Sequence, residues 1–157
     1  MRALDDTRGA VRVEDVYDTD IDDLWQACTA PERLARWIAE VEGDLRLGGE
    51  FQARFTSGWQ GTGRVQVCEP PQRLVVLTRQ AGESDECLID VTLSSDGARA
   101  SLIIEERGVP VDDLPAYGAG WQVHLEDLGA HLVGGARCDV KARWDELIAG
   151  YREAVIG

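Results

Sequence analysis

Apolar residues Leu114, Tyr117, Trp121, Leu125, Leu128 and Leu132 recur at steps of three and four along the chain. That spacing puts them on one stripe of a helix about five turns long, predicted from about Pro115 to Val133. Such a stripe needs a surface to cover. Between about Leu45 and Arg107, runs of β-like residues are separated by Gly, Pro and Asp turns. They predict a curved antiparallel sheet as the partner of the helix.

The other elements follow in order. Residues 1–10 are polar and are expected to fray. Val11, Val13 and Tyr17 alternate with Arg12, Glu14 and Val16, the pattern of a half-buried first strand. Two short helices come next. Thr19 and Asp22 have the spacing of a capping box, with Ile21, Leu24, Trp25 and Cys28 as the buried stripe. Carboxylates Asp18, Asp20, Asp22 and Asp23 are accounted for by the dipole of a helix start without invoking a cation. Pro31 opens the second helix, with Leu34, Trp37 and Ile38 on one side. The string DLRLGGEFQARF then predicts strand, Gly48-Gly49 turn and strand. Gly61 and Gly63, inside a strand pattern, predict a bulge or a close backbone approach. Further strands flank the Glu69-Pro70-Pro71 turn and the Asp96-Gly97 hairpin. Gly134-Gly135 ends the long helix, and Val140, Trp144, Leu147, Ile148, Tyr151 and Val155 predict a last one, packed on the body or on a second subunit.

Composition narrows the functions. At 157 residues and 44% hydrophobic, the chain is one domain long with one core. A net charge of −13 repels a nucleic-acid backbone and an anionic membrane. No apolar run approaches the roughly 18 residues of a membrane span, and the start MRALDDTRGAVR lacks a signal-peptide core, so a cytoplasmic location is expected. Cys28, Cys68, Cys87 and Cys138 form no Cys-x-x-Cys pair and are expected as free thiols, and no metal or cofactor motif is spelled out.

Strand, two short helices, antiparallel strands and a long helix: this order resembles the helix-grip fold of START-like (SRPBCC) lipid-transfer and pathogenesis-related proteins. LWQACTAPERLARWI, DLRLGGEF, GTGRVQVCEPPQRLVV and GWQVHLEDLGAHL, in that order, resemble the family named after the activator of the ninety-kilodalton heat-shock protein's ATPase. The resemblance covers about Val11 to Gly134, and the segment 136–157 extends beyond it. It implies an α+β helix-grip domain, its sheet wrapped around the long helix, with a cavity between them that holds a small hydrophobic or amphipathic ligand. The superfamily includes carriers, receptors, cyclases and cochaperones, so the fold alone implies no chemistry.

Eight residues are candidates to line that cavity: Trp37, Phe51, Phe55, Trp59, Tyr117, Trp121, His124 and Leu125. Aromatic walls with a few polar groups suit a small-ligand site. Phe51 and Leu125 are read first as core. His124 and His131 lie seven apart, about 10.5 Å along a helix, too far for both to bind one metal directly. His131 is expected to face solvent. Arg54 and Arg64 are candidates to orient a ligand carboxylate, although strand arginines more often face water. No catalytic motif is present, which leaves three readings: a carrier of an apolar ligand, a cyclase- or dehydratase-like enzyme using His124 or Tyr117, and a protein-interaction module. A homodimer through the last helix is left open, and no protein partner is identified.

Overall fold

The computed structural model describes residues 1–154; Val155, placed on the last helix from its spacing, lies outside the described residues. Eight strands form one antiparallel sheet: β1 Arg2–Ala3, β2 Arg8–Tyr17, β3 Ala39–Gly43, β4 Glu50–Phe55, β5 Gln60–Glu69, β6 Arg73–Gln80, β7 Glu86–Asp96 and β8 Arg99–Pro110. Their order across the sheet is β1-β2-β8-β7-β6-β5-β4-β3. Helices α1 Ile21–Thr29 and α2 Pro31–Trp37 follow β2, α3 Leu114–Leu132 packs on the sheet, and α4 Val140–Glu153 packs on α3. This is the α+β helix-grip arrangement, with α4 added.

Alternation sets which face each strand presents. Leu93 pairs with Leu102 and Val91 with Ile104, so both hairpin strands turn their aliphatic residues toward α3. Leu102 and Leu128 are fully buried in the resulting core. One row across the sheet reads Val65, Val76, Ile89, Glu106, Val11. Four aliphatic side chains and one acid thus share a single buried register, and the acid stands in the middle of the sheet.

Helix α3 is buried on more than one side. The predicted stripe is there, and Gly118, Ala119 and Val123 are buried as well. The reason is α4, which lies along residues 116–126: Trp144 Nε1 donates to the Ala116 carbonyl at 3.1 Å and the Tyr151 hydroxyl to Gln122 Oε1 at 2.7 Å. Arg143 grips both Glu126 oxygens at 2.8–3.0 Å. At Gly118 the Tyr151 ring comes so close that a Cβ would sit 2.6 Å from Cδ1. The last helix therefore packs on the body of its own chain.

Three local expectations need correction. The N-cap of α1 is Asp20, whose side chain accepts from Asp23 N, while Thr19 donates to the Asp23 carboxylate at 2.6 Å. No strand occupies residues 44–47. Asp44 accepts from Arg46 N and Nε and closes a local turn, Leu47 is exposed, and the strand paired with β4 is Ala39–Gly43, immediately after α2. Residues 1–10 do not simply fray, because Arg2 and Ala3 add an edge strand to β2. The bulge in β5 falls between Val65 and Val67. Gly61 and Gly63 are both close approaches, since the Arg79 carbonyl lies where a side chain at Gly61 would be and the Phe51 ring where one at Gly63 would be.

Candidate functional site

Between α3 and the concave face of the sheet lies a cavity of about 420 Å³. Sheet and helix separate here because the row across the sheet changes character. Beyond Ile104 the inward positions of β8 and β6 carry Glu106 and Thr78 rather than large aliphatics. The helix face opposite is just as uneven. Gly120 leaves open space where a side chain would project, while Tyr117, Trp121 and His124 stand around it. The β4–β5 loop closes one end with Ser57 and Trp59, and α4 contributes Trp144.

Of the eight residues proposed from sequence, the cavity brings together Phe55, Trp59, Tyr117, Trp121 and His124. The other three lie elsewhere. Trp37 is 2% exposed beneath α1, its indole N–H donating to the Ala27 carbonyl at 2.9 Å, so it locks the two short helices together. Phe51 covers Gly63, and Leu125 is buried in the core with its carbonyl accepting from the Tyr17 hydroxyl at 3.1 Å. Arg54 and Arg64 are exposed and line no part of it. His131 is half-buried and accepts from Arg33 Nε at 3.1 Å.

The residue that sequence reasoning missed is Glu106. It is 5% exposed, and Trp121 Nε1 donates to its Oε2 at 2.6 Å. Burial pushes its carboxyl up to about 7, against the smaller lowering influence of that hydrogen bond. Its sequence signal was phase: positions 100, 102, 104 and 106 alternate inward, and the fourth is an acid.

His124 is 3% exposed, and burial lowers its pKa to about 4, so the ring is neutral. Its Nε2 lies 3.2 Å from Ser57 Oγ, while Nδ1 is buried without a partner. The ring meets Phe55 and Trp121 edge-on, with centroids 5.7 and 5.8 Å away. The Tyr117 hydroxyl is pushed up to about 12, by burial first and then by the Glu106 charge. The cavity therefore combines five aromatic side chains, the Tyr117 phenol among them, with a carboxyl group that titrates near pH 7 and a neutral imidazole.

A family model described as activator of Hsp90 ATPase homolog 1-like protein matches residues 18–133. The chain belongs to that family. Its segment in this Hsp90-activator-like domain runs from the end of β2 to the end of α3, which leaves α4 outside it. Among solved structures, CalU16 from Micromonospora echinospora is 29% identical with a TM-score of 0.76, over 91% of this chain and 86% of its own. DynU16, from the dynemicin biosynthetic locus, is 25% identical with a TM-score of 0.76, over 83% of this chain and half of its own. An Hsp90 activator from Plasmodium falciparum shares the fold at 21% identity and a TM-score of 0.68, over 79% of this chain and 96% of its own. A search of curated protein sequences found no match. Among the described residues no helix is long and apolar enough to cross a membrane.

Proposed function

We propose that this domain binds a small, largely apolar ligand in the cavity between α3 and the sheet. The observation that carries the reading is a space of about 420 Å³ walled by Phe55, Trp59, Tyr117, Trp121 and Trp144, set where a packed core would otherwise continue. That size lies in the lower part of the range of small-molecule pockets, roughly 300–1,000 Å³. The relative in the dynemicin biosynthetic locus supports a natural-product-like ligand.

The test uses the neutral dye N-phenyl-1-naphthylamine, whose emission rises in apolar surroundings. Saturable binding with energy transfer from the cavity tryptophans is the expected result. Gly120→Leu should abolish it. A side chain there meets nothing within 4 Å of its Cβ, so it fills the cavity without strain, and loss of a mid-helix glycine favours α3 by about 1 kcal/mol. A more stable protein that binds the dye unchanged would refute the reading.

A cyclase- or dehydratase-like activity is the second reading, favoured by Glu106 lying near neutrality beside Tyr117. An enzyme of that kind would lose roughly 10²–10⁴-fold in turnover with Glu106→Gln. A carrier would show no chemical change in any bound compound.

A further inference from the structure

Every formal charge lining the cavity is negative: Glu106 inside it and Asp113 at its mouth are the only charged side chains among the described lining residues. No Lys or Arg reaches in, and the chain carries −13 overall. The Glu106 carboxylate is half used. Trp121 satisfies Oε2, and no hydrogen bond reaches Oε1 among the described residues. Oε1 is not sealed away like the buried, unpartnered Thr56 Oγ1, His124 Nδ1 and Asp127 Oδ2, so it opens on the cavity. Trp121, Tyr117, Trp59 and Trp144 line the same cavity.

An anionic ligand would meet two carboxyl groups with no counter-charge. A neutral hydrocarbon would cover Oε1 without replacing the water it displaces, leaving a buried acceptor unsatisfied. A cation answers both. Indole and phenol rings attract an ammonium through their π faces, and the carboxylate accepts its N–H.

From this charge and geometry we infer that the ligand is an amphipathic organic cation: a protonated amine on an apolar, ring-sized body, its nitrogen against Glu106 Oε1 and its body among the aromatic walls. This rests on the cavity being a binding site, and it names the chemistry that the site takes.

Three probes of one shape test it at about pH 8, where the amine is protonated and the acid ionised. They are 1-naphthylmethylamine, 1-naphthylmethanol and 1-naphthoic acid, titrated by calorimetry into the wild-type protein. The amine should bind at least about tenfold tighter than the alcohol, and the acid weakest. Glu106→Gln keeps an acceptor for the Trp121 N–H. It should bring the amine down to the alcohol's affinity while the alcohol changes by less than about threefold. Should the variant not fold, the wild-type ranking decides alone. An amine that binds no better than the alcohol, or an acid that binds tightest, overturns this inference and leaves the binding site standing. If none of the three binds, both readings fall.

Discussion

Glu106→Gln also tests the electrostatics of the cavity without any ligand. The substitution keeps the side chain's shape and its acceptor for Trp121 and removes the titration. The native carboxyl sits at about 7 against an ordinary 4.5, so between those values the folded protein holds a proton that the unfolded chain has released. Wild-type stability therefore falls as pH rises from about 4.5 to 7, by at most about 3 kcal/mol from this group, and stays lowered above that. Below about 4.5 the acid is protonated in both states and contributes no slope.

The wild type alone conceals this. His124 is lowered from 6.5 to about 4, so it contributes stability at high pH that is lost on acidification through that window. The two slopes oppose each other over most of the same range. Cys87 and Tyr117, the other titratable side chains facing Glu106, are pushed up to about 12 and do not interfere. The informative quantity is thus the stability of the variant minus that of the wild type, from urea melts between about pH 4 and 8. It should rise with pH by about 2–3 kcal/mol, with most of the change between about 4.5 and 7, equivalent to roughly 4–12 °C in Tm. A difference that is flat with pH would refute a buried, desolvated Glu106, and so would one that falls.

His124→Phe should give the mirror image. The phenyl ring keeps the edge contacts to Phe55 and Trp121 and removes the orphaned Nδ1, so its stability relative to wild type should grow as pH drops from about 6.5 to 4 in the same melts. Gly118→Val should displace α4, because its Cβ would lie 2.6 Å from the Tyr151 ring. Hydrogen exchange would then show residues 140–153 losing protection while the β7–β8 hairpin keeps it.

The elements legible in the sequence were those whose signal is local. Asp96-Gly97 makes the β7–β8 turn, Gly97 adopting a φ of +63° that few other residues tolerate. The stripe on α3 was equally plain, since three- and four-residue steps survive whatever the helix packs against. Residues 44–47 misled because Leu45 and Leu47 alternate like a strand, whereas the Asp44 side chain captures the Arg46 backbone and ends the pairing. Aromatic type could not separate a wall from a wedge: Trp37 and Trp121 both spend their indole N–H on a buried acceptor, but one faces a notch between helices and the other a cavity. Glu106 escaped because Glu105, Glu106 and Arg107 read as the polar end of a strand. Only the continued alternation from Leu102 and Ile104 distinguishes the inward acid from its half-buried neighbour Glu105, which pairs with Arg2 and Arg107.

That inward acid and the added helix act on the same cavity. In the row from Val65 to Val11 an aliphatic residue at 106 would pack without desolvating a charge, so folding alone gives no reason for the carboxyl group. Its placement makes sense where the row leaves the core and meets the cavity. The family's matched segment ends at residue 133, while Trp144 on α4 completes the wall. Desolvation is the largest influence on the titration of Glu106, and α4 covers the side of α3 from which Trp144 reaches the cavity. Displacing α4 with Gly118→Val should then bring the carboxyl back toward its ordinary range and shrink the pH-dependent gap between Glu106 and Gln proteins. If the gap survived intact, the sheet and α3 alone would be burying the acid, and α4 would be only an appended helix.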